Sequence, residues 1–357
     1  MPDSPPEQSR VNNGANSMNV TIKDVAREAG VSPATVSRVL NESSRVSEKT
    51  AARVKKTIDK LDYEVNVSAR TLRTKTSQLI GVIGASITNP FLMKVLEGAE
   101  KRARELDFSL LLGDSGQCQQ KKLDYLQIMK QKDIDGIVVI SSEWQKKFFL
   151  ELEKSGIPTV VASGHVEKFS FPGVGIKNSL ASREVIEYLH ELGHKKIGII
   201  RGPLKDRISS SRRMAGVRAV FQDLGLNFDS DRIFIGDYTF DSGYSGALEL
   251  LKKNSEITAL FAFDDRMAIG AIRGIEALGK KVPEDISVVG FDDIDLSRFV
   301  NPRLSTVKQP SSTIGRESMN LLLNVIKNGP GAGIDNFKYI EHELLIRDST
   351  RPAADRS

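Results

Sequence analysis

The stretch GVSPATVSRVLN, Gly30 to Asn41, is patterned as a helix, yet its outer face carries Pro33, Ala34, Thr35, Ser37 and Arg38 where a surface helix usually has long charged residues. A face so small and bare lets another molecule come close. The major groove of duplex DNA, about 12 Å wide, admits a helix only when its leading residues are not bulky, and an arginine there can pair bidentately with guanine. Hydrogen bonding to base edges is the chemistry these residues suit, with Thr21 ahead of the stretch and Asn41 at its end as further contacts. The rival reading is a purely structural three-helix bundle. Charge weighs against that rival. Between Met18 and Thr74 there are eleven Lys or Arg and seven Asp or Glu, a net of +4 in a chain whose total is +5. A basic module on a nearly neutral body points to a polyanion partner for the module alone.

A second stretch, NVSARTLRTKTSQ from Asn66 to Gln78, has three positive charges and few core residues. As a short isolated helix it would be marginal in water. It can order on DNA, with Leu72 as an apolar wedge in a base step, or it can be a plain linker.

Other constellations carry less. His190 and His194 stand four apart, as two metal ligands on one helix face would, but Gly193 interrupts the helix and no third ligand follows at a familiar spacing. The glycine-rich run near residue 331 lacks the lysine and hydroxyl of a phosphate loop. No serine sits in a G-x-S-x-G elbow and no Cys–His pairing is legible, so catalysis, metal and cofactor are not expected. The single cysteine, Cys118, excludes an intrachain disulfide and fits a reducing cytoplasm. No apolar run approaches the roughly 20 residues of a membrane span, and the polar, Pro- and Asn-rich start does not read as a secretory signal.

The elements that must position these residues follow from period and punctuation. Residues 20–62 read as three short helices, with Thr21 and Asp24 as a weak capping box, Gly30 in the turn, Ser32 capping the second helix ahead of Pro33, and Ser47 capping the third. Val25, Ala26, Ala29, Val31, Val36, Val39, Leu40, Val54, Ile58 and Leu61 supply the core of this helix-turn-helix headpiece. From Leu79 the texture changes to apolar runs alternating with amphipathic helices: LIGVIG, FSLLLG, GIVVI and PTVVAS, then KIGIIRG, RIFIGD, TALFAF and ISVVGF. Short bare strands alternating with helices predict parallel sheets covered on both faces. The number of strands suits two α/β lobes. Ligands of such folds bind beyond the carboxyl ends of the strands.

VTIKDVAREAGVSPATVSRVLN, followed by VSEKT, LDYEVN and ARTLR, resembles the LacI/GalR family of bacterial transcription regulators. The likeness runs from Asn19 to Arg351 and includes GIIRGPL, AFDDRMAIGAIRGI, VPEDISVVGFDD and LLIRDSTRP. It implies a homodimer with a helix-turn-helix headpiece, a hinge helix and a two-lobed periplasmic-binding-protein-like body, acting in the bacterial cytoplasm at the nucleoid. Positions 33, 34 and 38 would then meet bases, Leu72 would intercalate, and Ala69 and Arg70 match the family hinge. Val65 departs from the proline many members carry there. The division expected is a tail (1–17), headpiece (18–65), hinge helix and linker (66–77), effector-binding and dimerisation domain (78–350) and tail (351–357). Lobe one would hold residues 78–176 and 309–337, lobe two 177–308 and 338–350. A two-fold dimer implies a near-palindromic operator.

The resemblance also places a small-molecule effector between the lobes. Pro90 and Phe91, Arg213, Tyr238, Asp264 and Asp292 have suitable chemistry for a sugar, sugar phosphate or related metabolite. Asp264 can instead cap the helix after it, and Phe91 can be core. GDYTFDSG and PATVSRVLN look most like the catabolite control protein branch, which adds a seryl-phosphorylated phosphocarrier protein to the possible partners. A solute-binding protein and a sugar-modifying enzyme are the rivals from other classes; the basic headpiece opposes the first and the lack of an acid–base pair the second.

Overall fold

The computed structural model describes residues 20–40, 45–63, 76–84, 86–116, 118–140, 145–164, 169–329 and 337–353. It divides into two compact units, 1–75 and 76–357.

The first unit is three helices, α1 (Ile22–Glu28), α2 (Pro33–Leu40) and α3 (Glu48–Leu61). Gly30 takes φ +62°, and the α1 end closes with Val31 N–H on the Ala26 carbonyl at 3.0 Å and Gly30 N–H on Arg27 at 3.2 Å. This is the paired closure of a helix that stops at a left-handed glycine. Ser32 Oγ then accepts from Thr35 N–H at 3.1 Å and Ser47 Oγ from Thr50 N–H at 3.4 Å, starting α2 and α3. At Thr21 the expected capping box with Asp24 forms, and the Thr21 backbone N–H and hydroxyl both donate to the Asp24 carboxylate, at 3.0 and 2.6 Å. Val25, Ala26, Ala29, Val36, Val39 and Val54 form the core, with Ile22, Val31, Leu40, Ile58 and Leu61 packed against them.

The second unit holds two six-stranded sheets. One contains β1 (Leu79–Gly84), β2 (Ser109–Asp114), β3 (Gly136–Ile140), β4 (Thr159–Ala162), β5 (Gly173–Gly175) and β11 (Phe337–Tyr339), in the order β11-β5-β4-β3-β1-β2. The other contains β6 (Ile197–Arg201), β7 (Ile233–Ile235), β8 (Ala259–Ala262), β9 (Ser287–Asp292), β10 (Ser305–Lys308) and β12 (Glu343–Leu345), in the order β12-β10-β9-β8-β6-β7. Every pairing is parallel except β12 with β10. Parallel strands covered by helices have no wet face, hence the unbroken burial of GIVVI, TVVA and ALFA.

Helices α4 (Pro90–Arg104), α5 (Gln119–Gln131) and α6 (Lys146–Ser155) connect the strands of the first sheet. Helices α7 (Asn178–Glu191), α8 (Ser210–Asp223), α9 (Phe240–Lys253) and α10 (Asp265–Ala277) serve the second. After β10 the chain returns to the first lobe in α11 (Ser311–Asn328), which lies along α4. That contact is close: a Cβ on Gly315 would fall on the Val95 carbonyl, and one on Gly98 on the Ser312 carbonyl. The expected passage into lobe two at residue 338 falls inside β11, which pairs with β5. The chain reaches the second sheet only at β12, because three strand residues remain in register with Gly173–Gly175 first. Among the described residues no helix is long and apolar enough to cross a membrane.

Candidate functional site

In the first unit, Pro33, Ala34 and Arg38 are exposed on α2, while Thr35 and Ser37 are half-buried. Val36 and Val39 pin the opposite face into the core, at 0% and 4% exposure, so the bare face cannot turn inward. Thr35 is partly committed, its hydroxyl 2.9 Å from Ser32 Oγ. Thr21 is exposed but bonded to Asp24 as above. Arg27 also reaches Asp24, and Lys60 holds Glu28 at 2.7 Å. Asn41, Ala69 and Leu72 lie outside the described residues.

In the second unit a cavity of about 410 Å³ opens between the two lobes, beyond the carboxyl ends of the strands. Lobe one supplies Ser86, Thr88, Asn89, Phe91 and Leu92 after β1, Gly116 after β2, Lys122 from α5 and Ser163 after β4. Lobe two supplies Ser209 and Arg213 around the α8 start, Asp237, Tyr238 and Thr239 before α9, Asp264 and Arg266 around the α10 start, and Asp292 at the end of β9. Five of the six expected effector residues therefore share one cavity. Pro90 does not line it: it is exposed in the first turn of α4, with Asn89 and Phe91 on either side at the wall. Phe91, 7% exposed, is both wall and core.

Arg213 is the centre of the lobe-two wall. Its Nε donates to Asn178 Oδ1 at 2.8 Å and its Nη1 to the Phe263 carbonyl, and the guanidinium lies over the Phe291 ring, 3.6 Å from its centroid. Nη2 is 3.8 Å from Asp292 Oδ1, too long for a strong hydrogen bond. Asp292 accepts from Gln309 Nε2 at 2.6 Å. Burial pushes the Asp292 carboxyl well above the usual carboxylate range, against the pull of Arg213. Asp264 does both things weighed for it. It caps α10, accepting from Met267 N–H at 2.8 Å, and it lines the cavity, with Arg266 Nε at 3.3 Å. Burial raises its carboxyl to about 6. Tyr238 at φ +67° donates its hydroxyl to Asp206, a buried carboxylate that also accepts from Ile208 and Ser209 N–H at 3.0 and 2.7 Å.

Sequence reasoning missed Asn89, Asp237, Thr239, Arg266 and Lys122. The N-cap positions before α4 and α9 were a usable signal for Asn89 and Thr239. Lys122 gave none, since a Lys121-Lys122 pair on an amphipathic helix reads as a wet face, yet Lys122 is 1% exposed. Around the histidine pair, α7 ends at Glu191 and Gly193 has φ +86°. His194 places Nδ1 2.9 Å from Thr258 Oγ1 and Nε2 3.0 Å from the Arg351 carbonyl.

Residues 21–66 match the family described as bacterial regulatory proteins, lacI family, and residues 186–350 a periplasmic binding protein-like domain. Catabolite control protein A of Priestia megaterium is 36% identical over 335 residues, covering 94% of this chain and 100% of that protein. The transcriptional repressor CytR of Escherichia coli K12 is 36% identical over 331 residues, 93% of this chain and 96% of its own. The lac repressor dimer bound to operator and the anti-inducer ONPF superposes with a TM-score of 0.83 at 27% identity, over 93% of this chain and 99% of that one.

Proposed function

Since the chain belongs to the lacI family of bacterial regulatory proteins and is a DNA-binding transcription regulator rather than an enzyme, we propose that it represses from a near-palindromic operator and is released or fixed there by a polyhydroxylated metabolite held between its lobes. The observation that carries the reading is the pairing of an exposed, short-side-chain α2 face bearing Arg38 with a cavity of about 410 Å³ that both lobes line. Arg38, Pro33 and Ala34 read base edges in the major groove; Thr35, Ser37, Thr21 and Asn41 flank them; Ala69 and Leu72 act in the hinge segment. Residues 18–65 are the headpiece, 66–77 the hinge and 78–350 the effector and dimerisation domain. The protein works as a homodimer on the nucleoid, in the cytoplasm. Effector binding favours one lobe arrangement over another, and operator affinity follows from that difference. The co-effector alternative, a seryl-phosphorylated phosphocarrier protein, draws its support from the likeness to catabolite control protein A.

Footprinting on selected operators tests the DNA half. Arg38→Ala is expected to relax base preference by about 1–3 kcal/mol at one position per half-site, and Leu72→Ala to weaken specific binding with effector affinity intact. Footprints unchanged by both substitutions overturn those assignments.

A further inference from the structure

Apart from the cavity between the lobes, a groove of about 430 Å³ runs along α8 in lobe two, and no residue lines both. Met214, Ala215, Arg218, Ala219 and Gln222 form one stripe of that helix, joined by Arg201, the last residue of β6. Arg201 is 8% exposed, and a guanidinium so deeply buried normally meets a carboxylate. Here its partners are neutral. Nε donates to the Gly202 carbonyl at 3.3 Å and Nη2 to Ser210 Oγ at 3.2 Å, both at the long end of the range. Nη1 has no partner among the described residues, yet it is not sealed from solvent, which leaves it to the groove. Asp206 attracts Arg201 from further off, but its oxygens are occupied by the Tyr238 hydroxyl and by Ile208 and Ser209 N–H. Arg218 is exposed, lies over the Phe228 ring at 5.3 Å and has no carboxylate partner among the described residues. Two arginines therefore border a groove whose described lining contains no Asp or Glu, and their charges repel. Ser211 lines it too, with its hydroxyl donated to the Asp206 carbonyl at 2.8 Å, while the Gln222 amide is exposed. An anion with a charge near −2 answers both arginines at once, and the oxygens of a phosphoryl group fit the guanidinium fork.

We infer that this groove binds a phosphate group, free or at the end of a small monoester, between the Arg201 and Arg218 guanidiniums, with the Gln222 amide as a further donor. The inference does not rest on the effector reading, since the two sites have no residue in common. Met214, Ala215 and Ala219 give the carbon part of an ester an apolar bed. Bound phosphate turns the repulsion between the arginines into attraction, so it stabilises lobe two.

The test is calorimetry on the full chain in phosphate-free buffer, with inorganic phosphate and with phenyl phosphate as probes at fixed ionic strength. At least one of them is expected to saturate a single site per chain, with affinity falling as NaCl is raised, and to lift the melting temperature by mass action. Tighter binding of phenyl phosphate marks an ester as the ligand; tighter binding of inorganic phosphate marks the free ion. Arg218→Ala should weaken binding roughly tenfold, and Gln222→Glu, which sets a carboxylate in the groove, at least as much. Both positions are exposed, so the melting temperature without ligand should stay near that of the wild type. Arg201→Gln should remove binding; if that substitution unfolds the chain, the two exposed positions decide. No saturable binding of either probe, or binding that Arg218→Ala or Gln222→Glu leaves unchanged, overturns the inference.

Discussion

Asp264 shows how one residue serves structure and site together. Its carboxylate caps α10, as its place before DRMAIG suggests, and the same burial that makes the cap rigid makes its charge costly. The folded-state carboxyl stands at about 6 against an ordinary 3.8. Between those values the folded protein keeps a proton that the unfolded chain has lost. Stability from this group is therefore complete below the lower value and disappears as pH rises through the upper one. Asp264→Asn keeps an acceptor for Met267 N–H and removes the titration. Thermal melts at pH 5 and 7.5 should show the variant gaining on the wild type at the higher pH; a difference that does not change with pH would mean Asp264 is not titrating there. Asp292 shifts in the same direction for the same reason, with Arg213 opposing.

At the scale of the element, what the sequence spelled out was period and punctuation. Gly30, Ser32 and Ser47 act locally, so a reader of the chain finds them, and the apolar runs LIGVIG, GIVVI and ISVVGF are strands because nothing but a doubly covered sheet hides them. The strands that escaped notice, β5, β10, β11 and β12, are three or four residues long. Runs so short carry no period of their own and are strands because a neighbour's backbone is in reach. The α4–α11 contact is likewise invisible in sequence, being made by glycines 217 positions apart. Gly315→Ala should push α11 off the Val95 carbonyl and cost about 1–3 kcal/mol in urea unfolding, since a packed interface absorbs an added methyl only by shifting. An unchanged unfolding midpoint would show that the helices can separate freely.

On the whole-molecule scale, the chain passes between lobes in the segments around residues 176–178, 309–310 and 340–342. Two of these passages hand a side chain to the charged pair in the cavity: Asn178 accepts from Arg213, and Gln309 donates to Asp292. A ligand that displaced Arg213 from Asp292 would disturb hydrogen bonds made by residues of those connections. Asn178→Ala is expected to reduce the factor by which effector changes operator affinity by about 2- to 30-fold, with a smaller effect on effector binding itself. Operator titrations with and without effector measure that factor; its persistence in the variant would place the coupling elsewhere. Lys94 and Asp295 also join the lobes, at 2.6 Å, but both ends are substantially exposed, and such pairs are worth little.

The sequence by itself determined the three-helix headpiece, the bare face of α2 and the two parallel sheets, because caps, turns and hydrophobic period are properties of neighbouring residues. It also named Arg213, Tyr238, Asp264 and Asp292, through likeness to a family rather than through physics. Only the tertiary structure decided that Lys122 is buried at the cavity wall, that Pro90 is not on it, and that Asn178 and Gln309 tie the lobe connections to the charged pair. The reason is distance along the chain. A wall assembled from seven loops of two sheets has no local signature, and a lysine's surroundings are set by residues that its own helix never meets in sequence.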